Sequence, residues 1–481
     1  METRSITVKE IAKFIGGTVL CGDENQIIDR ISTDSREYFA NELFVPIVGA
    51  KVDAHRFLVS ALGNGVCACI THEHSSFDDV LKSYAEENAP YDNKIWIHVE
   101  DTRLALHKLG FLFRTRIHVP IIGVSGSVGK TTTREMIAHA MNSQASVFKT
   151  EKNYNSQFGV PITMSMLRNN VDYAVLELGM NVPGELTMIA EMAAPEVGVL
   201  TNVGVAHIEF YQTQDNIAKE KLSIGKGVAD DGLMVLNGDD FYLTKYSDLV
   251  SQKKVYYGTS RIGANGVLCD YYSSDLVSDE NGSRFTLHVV TDDDEVLIPV
   301  ELTVPGRHNC LNALAAFAVC DYYQLNLVKV AESLKDFKGF MNRLSVITTA
   351  SGYTVIDDTY NASPTSMKAG LDVLCDRKCE GRRIAVLGDM FELGENSPLY
   401  HSQIGEYAAQ KDIDFLICIG ENATHIADEY NKSQNISKKA VCFSMDTAIT
   451  FLKERLHSGD IVYLKASNGM HFKSIVESII K

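Results

Sequence analysis

A chain of 481 residues, 45% hydrophobic and 22% charged, has the composition of an ordinary globular protein with about three domains. Its formal charge of −17 argues against a nucleic-acid groove, which needs clustered Lys and Arg, while leaving room for a local basic pocket that takes a small anion. The ten cysteines show no CxxC or zinc spacing, Met1 to Ile6 lacks the features of a signal peptide, and no apolar run reaches about 18 residues, so a cytoplasmic chain with reduced thiols and no membrane span is expected.

Residues 1–98 read as a small α/β domain. Val8 to Ile15 has the spacing of an amphipathic helix, Glu42 to Val48 of a buried strand, and Phe57 to Leu62 of a helix after it. Two polar clusters interrupt them, Ser32-Thr-Asp-Ser-Arg36 and Gly49-Ala-Lys-Val-Asp-Ala-His55, and on composition alone both are turn chemistry. Asp78 to Asn93 is polar and acidic, which suits a surface helix and loop.

Residues 99–343 alternate strand and helix around Ile121-Ile-Gly-Val-Ser-Gly-Ser-Val-Gly-Lys-Thr-Thr-Thr133. A β-branched run ends in a loop with glycines at 126 and 129, and a helix-compatible segment starts near Lys130. Small residues there let backbone N–H groups face a polyphosphate, Lys130 can reach its outer phosphates, and the Thr131 hydroxyl can hold Mg²⁺. The general motif has a glycine where this chain has Val124. Tyr173 to Leu178, Val197 to Thr201 and Gly232 to Leu236 are further strands, implying a mostly parallel sheet with ligands beyond its carboxyl edge. Phe285 to Val290 and Val296 to Leu302 flank Asp292-Asp-Asp as an antiparallel hairpin, and an alanine-rich helix covers Ala313 to Cys320. From 344 to 481 the alternation restarts, with strands at Thr354–Ile356, Arg383–Leu387, Phe415–Ile419, Ala440–Phe443 and Ile461–Leu464. This is a second doubly wound, Rossmann-like domain.

A few positions stand out chemically. Glu177 is an acid in an apolar strand, and a buried carboxylate needs a metal, water or a cation beside it. His207 follows a strand and suits either a metal shell or a structural role. Lys219 and Lys221 share a helical segment whose simplest reading is a solvated face. Asp357-Asp358, at the end of a strand and followed by Thr-Tyr-Asn361, can contact ribose or phosphate, or simply close a turn.

Gly123-x-Ser-Gly-Ser-x-Gly-Lys-Thr131 resembles the phosphate loop of the Mur ligases, which carries the same glycine offset. The resemblance continues through Asn153-Tyr-Asn155 with Gly159-Val-Pro161, Glu177-Leu-Gly-Met-Asn181, Thr201-Asn202, Ala206-His207, Lys221, Gly306-x-His-Asn309 with Asn312, Arg343, Asp357-Asp-Thr-Tyr-Asn-Ala-Ser-Pro364 and Val386-Leu-Gly-Asp-Met-Phe-Glu-Leu-Gly394. It covers nearly the whole chain in order. It departs at Lys465-Ala-Ser-Asn-Gly-Met470, where the family commonly has glycine and arginine at the second and fourth positions.

The resemblance implies a three-domain α/β ligase: 1–98 binding the UDP-muramoyl peptide, 99–343 binding ATP on a phosphate-loop sheet, and 344–481 closing the site. It implies that Gly126, Ser127, Val128, Gly129, Lys130, Thr131 and Thr132 hold the ATP phosphates, with Thr131 and Glu177 on one Mg²⁺ and His207 on a second. Lys221 would be carbamylated; Asn309, Arg343 and Asp358 would hold the nucleotide; Ser35, Arg36, Gly49, Asp53 and His55 would hold the UDP-sugar end. The implied reaction joins D-alanyl-D-alanine to a UDP-N-acetylmuramoyl tripeptide at the expense of ATP, in a monomer that takes small-molecule partners. Rival readings are a sister ligase adding one amino acid, a folylpolyglutamate-synthase-like enzyme, or a nucleotide-driven switch or transport ATPase subunit.

Overall fold

A computed structural model of the chain describes residues 6–49, 51–291, 294–339, 343–432 and 439–480. Three expectations touch residues outside these: Asp292 and Asp293 of the hairpin turn, Ala50 of the Gly49–His55 turn, and residues 340–342 beside the expected junction at 343. The chain divides into two compact units, one of Met1–Gly123, Val147–Met180 and Glu185–Glu196, the other of Val124–Ser146, Asn181–Gly184 and Val197–Lys481.

In the first unit, Arg30–Ser32, Glu42–Phe44, Ala68–Thr71 and Ile95–His98 run parallel in that order, and Thr18–Cys21 closes the sheet antiparallel to Ile95–His98. The helix Val8–Ile15 lies where its apolar spacing puts it. Thr7 and Glu10 close a capping box at its start, and Val8, Ile11, Ala12 and Ile15 are buried. The strand expected over Glu42–Val48 stops at Phe44. Val45 still donates to the Ser32 carbonyl, but Pro46 has no N–H to continue a ladder. The segment expected as a surface helix forms as Phe77–Glu86 and buries Val80 and Tyr84, so it covers core as well as meeting water. Val147–Lys149 and Tyr173–Glu177 pair in parallel, which sets Glu177 at a strand's carboxyl end.

In the second unit, Val197–Leu200, Leu233–Asn237, Lys253–Gly258 and the start of Tyr271–Asp279 pair in parallel. The expected hairpin is there as Gly282–Val290 and Glu295–Leu302, and Tyr271–Asp279 pairs antiparallel with its first strand. The helix expected at Ala313–Cys320 is longer, Arg307–Tyr322. Arg307, His308 and Asn309 therefore form its first turn rather than a preceding loop.

The last sheet runs in the order Ser345–Thr348, Thr354–Asp357, Ile461–Lys465, Arg383–Gly388, Phe415–Ile419, Lys439–Cys442, with only the first strand antiparallel. Val355, Val386, Ile417, Val462 and Leu464 of its strands pack with Phe472, Ile475 and Ile479 into one apolar core. Chain order reverses around the Ile461–Lys465 strand, so Asp357, Asp358, Lys465 and Asp389 collect at the carboxyl edge of a switch point, where open α/β sheets bind ligands. Among the described residues, no helix is long and apolar enough to cross a membrane.

Candidate active site

The buried strand Ile121–Ser125 delivers the chain to the glycine loop, and the helix Lys130–Asn142 leaves it. Gly126 adopts φ +146°, and a Cβ there would come 1.8 Å from Thr201 Oγ1, so only glycine fits. Gly129 opens the helix in the left-handed region without a side-chain cap, which leaves the first turn's dipole facing the loop. The loop is held from the next strand over. Asn202 accepts from Ser127 N at its carbonyl (2.9 Å) and from Val128 N at Oδ1 (2.9 Å), and donates to the Val128 carbonyl (2.8 Å). Thr201 Oγ1 also donates to that carbonyl (2.6 Å), and Gly204 N donates to Ser127 Oγ (2.8 Å). The amides of Ser127 and Val128 are thus spent on Asn202.

Lys130 folds its Nζ back onto the Gly126 carbonyl at 2.9 Å. Near it in charge is Lys221, on the helix Gln214–Leu222, with a relative exposure of 2%. The solvated-face reading therefore fails for Lys221: burial, and then the charge of Lys130, push its ammonium well below lysine's ordinary range. Lys219 differs, with its Nζ 5.5 Å from the Tyr246 ring centroid. Asp240 offsets Lys221 only in part, since its carboxylate caps Tyr242 and Leu243 and accepts from Val203 N, and burial raises its pKa.

His207 sits at φ +62°, a conformation uncommon outside glycine and typical of functional sites when held by its surroundings. Its Nδ1 lies 2.5 Å from Glu392 Oε2. That contact fixes the ring and leaves Nε2 as the nitrogen to offer a metal. The imidazole holds Glu392 below the usual carboxylate range.

The junction residue Arg343 reaches the loop directly. Its Nη2 donates to Thr131 Oγ1 at 2.9 Å, and its guanidinium stacks 4.2 Å from the Tyr360 ring centroid. A cation bound at Thr131 Oγ1 would require that guanidinium to turn away. Asp358 lies at the sheet's carboxyl edge, but its Oδ2 accepts from Lys465 Nζ at 2.5 Å and Tyr463 OH at 3.1 Å. Asn309 is buried and tied to Pro305 O and Asn312, and Asn312 in turn accepts from Thr133 Oγ1.

In the first unit Glu177 is 4% exposed, and its Oε1 accepts from Asn155 Nδ2 at 2.7 Å. Gly179 N donates to the Asn155 carbonyl, so the Asn153–Asn155 and Glu177–Gly179 motifs are one hydrogen-bonded unit. The side chains expected at the UDP-sugar end differ in character. Ser35 is half-buried, and the Arg36 side chain is 85% exposed and paired with Asp34. Gly49 N donates to Val52 O, and Asp53 caps the turn that carries His55. The His55 ring is buried, with Nδ1 2.7 Å from Asp53 Oδ1.

Thr201, Asn202, Asp240, Glu392 and Lys465 do work at this site that sequence reasoning did not assign. An asparagine just past a buried strand was the available signal for Asn202, whereas nothing local to Glu392 or Lys465 in the sequence points to its partner.

Residues 124–320 match the Mur ligase middle domain and 342–468 the Mur ligase glutamate ligase domain. The UDP-N-acetylmuramoyl-tripeptide–D-alanyl-D-alanine ligase of Bacillus subtilis is 33% identical over 476 residues, 99% of this chain and 98% of its own. The crystal structure of MurF from Acinetobacter baumannii superposes with a TM-score of 0.83 at 27% identity, covering 99% of both chains. The MurF ligase from Thermotoga maritima, solved in complex with ADP, gives 0.77 at 27% identity, covering 94% of this chain and 96% of that one. With likeness running end to end, this chain belongs to the Mur ligase family.

Proposed function

We propose that the chain joins D-alanyl-D-alanine to a UDP-N-acetylmuramoyl tripeptide with conversion of ATP to ADP and phosphate, in the cytoplasm, as a step in building peptidoglycan precursors. The observation that carries this over a switch ATPase is the Arg343–Thr131 contact, in which the entry to a second complete α/β sheet touches the phosphate loop. The relatives matched along the whole chain carry the corresponding name. On this reading residues 1–98 bind the UDP-muramoyl peptide, 99–343 the ATP, and 344–481 complete the ligase.

A carboxylate is a poor acyl donor because oxide leaves badly. Transfer of the γ-phosphoryl to the tripeptide's terminal carboxylate makes an acyl phosphate, the dipeptide amine attacks its carbonyl carbon, and the tetrahedral adduct collapses to amide and inorganic phosphate. The protein's part is to position the reactants and to neutralise developing charge. Lys130 leaves the Gly126 carbonyl for the transferring phosphoryl group, residues 129–132 supply amides at the uncapped helix start, and on this reading Arg343 and Asn309 hold the nucleotide. Asp358 shares its charge with Lys465, which makes it a neutralised acceptor for a ribose hydroxyl.

Thr131, Glu177 and His207 offer hydroxyl, carboxylate and imidazole donors that suit Mg²⁺, with Glu177 held by Asn155 and His207 held by Glu392. Bound Mg²⁺ would polarise the phosphate oxygens. Lys221 fits the carbamate role because only a neutral amine can attack the carbon of CO₂, and burial together with the charge of Lys130 favours the neutral form. The N–C bond forms as one proton leaves, giving an anion with two hard oxygens. At the UDP-sugar end, Ser35, Arg36, Gly49 and Asp53 present the polar surface, and His55 holds the turn from inside.

ADP release measured with the UDP-muramoyl tripeptide, with and without D-alanyl-D-alanine, tests the assignment. Turnover that needs both substrates is expected. ATP hydrolysis indifferent to both would favour the switch.

A further inference from the structure

The first unit carries a second cluster of ligand-type side chains, of which the ligase reading uses only His55, and that only to hold the Gly49–His55 turn. Among the described residues, His55, His72 and Glu73 each present one ligand atom within 4.8 Å of the others. His55 lies on the short helical turn Ala54–Phe57, and His72 and Glu73 follow the buried strand Ala68–Thr71. The two imidazole centroids are 4.0 Å apart.

We infer that His55 Nε2, His72 and Glu73 form a binding site for a borderline divalent transition ion of the Zn²⁺ class. The His55 side chain is 1% exposed, and its Nε2 is buried without a hydrogen-bond partner. Its Nδ1 is taken by Asp53, so the orphaned nitrogen is the one left to face the cluster. That is the arrangement in which a carboxylate fixes the tautomer and ring orientation of a metal-ligating histidine. A buried ring nitrogen with nothing to bond is unfavourable, and a metal would satisfy it.

The donor set also favours this class. Two imidazoles and one carboxylate suit Zn²⁺ and its neighbours over Mg²⁺ or Ca²⁺, and leave a fourth position for water or a ligand oxygen. Tetrahedral ligands lie roughly 3.4 Å apart for bonds of about 2.1 Å, so the cluster has to contract. His55 is fixed, whereas His72 is half-buried and Glu73 exposed, so these two have the room to supply the closure. His74 is not a ligand, because its nitrogens already meet Thr71 Oγ1 at 2.9 Å and Ser83 Oγ at 2.5 Å. A bound ion would staple the Asp53–His55 turn to the end of the Ala68–Thr71 strand.

The site needs neither nucleotide nor phosphate loop, so its test is independent of the ligase reading. Metal-stripped, tag-free full-length protein is titrated with Co²⁺ alone, reading the visible absorption of the bound ion, and then with Zn²⁺ in equilibrium dialysis. One equivalent is expected for the wild type, with affinity falling about tenfold or more in His72→Ala and in Glu73→Gln. Both substitutions lie at accessible positions, so they keep the test clear of misfolding, which His55→Ala would not. The ten free cysteines are unchanged in these variants, so thiol-bound metal would survive in them. Absence of stoichiometric binding in the wild type, or undiminished binding in His72→Ala, would overturn the inference.

Discussion

Around the phosphate loop, the charged side chains assigned to chemistry are buried or held: Lys221 has almost no exposure, Lys465 is buried against Asp358, and Arg343 is fastened to Thr131. The turns assigned to the UDP-sugar end look different. Arg36 stands in solvent, tied only to Asp34, and the backbone of the Gly49–His55 segment is shaped by local turn bonds. Groups that must act on developing charge are kept out of water, where their fields are strong and already oriented. Groups that only recognise a large, soluble substrate can stay wet. Substitutions in the first region should therefore cost activity or stability heavily, and those of the exposed side chains in the second, Arg36 above all, should chiefly change substrate affinity.

The largest effect is expected from Lys130→Ala. It removes the cation proposed to meet the transferring phosphoryl group, so ligation should fall by about 10²- to 10³-fold or more while the fold persists. Stopped-time ADP assays beside circular dichroism check this, and near-normal turnover in a folded variant would break the phosphate-loop assignment. Lys221→Ala should be close to it in severity. Short carboxylic acids should restore part of the rate by taking the carbamate's place, and intact-protein crystals grown with bicarbonate should show the extra carboxyl on the wild-type lysine.

Lys465→Met comes next and reads out in stability. Removing one partner of a buried ion pair leaves Asp358 charged and uncompensated, at about 3–5 kcal/mol. Urea unfolding measures it; a loss below about 1 kcal/mol would mean that Asp358 is already solvated or otherwise paired. Asn202→Ala deletes the side-chain bonds to Val128 N and Val128 O, for about 1–3 kcal/mol, and should raise the KM for ATP more than it lowers kcat.

Much of this architecture was legible in the sequence because the strands at Thr354, Arg383, Phe415 and Ile461 are buried on both faces and read as continuous apolar runs. Lys253–Gly258 and Tyr271–Asp279 escaped notice for the opposite reason: the first sets Lys and Tyr around one Val, the second is mostly Tyr, Ser and Asp, and both are only partly buried. The helix start at Arg307 was missed because Arg-His-Asn reads as loop chemistry until the buried surroundings of the first turn are known. At the site, local spacing could separate Lys221 from Lys219, since residues two apart on a helix face different ways. It could not choose the buried one. Nor could it pair His207 with Glu392 or Asp358 with Lys465, because these contacts join remote segments that only the folded sheets bring together.

The smallest expected effect tests the wet half of the contrast. Arg36 hydrogen-bonds Asp34 through Nε and Nη2, and this contact with the backbone amide of Arg36 holds the Asp34 pKa down to about 2 from an ordinary 3.8. A carboxylate whose pKa is depressed on folding adds stability that is complete above its unfolded value and fades as pH falls toward the folded one. Arg36→Ala should therefore leave Tm unchanged near pH 2, where Asp34 is protonating even in the wild type, and lower it only slightly at pH 5 and above. Both groups are largely in water, so screening keeps the difference small, and added salt should shrink it further. The KM for the UDP-muramoyl tripeptide should nevertheless rise, with kcat little changed, because an exposed guanidinium lost from a recognition surface weakens ground-state and transition-state binding alike. A large Tm drop at neutral pH, or a fall in kcat at unchanged KM, would mean that Arg36 is part of the buried machinery and that the two regions are not built differently after all.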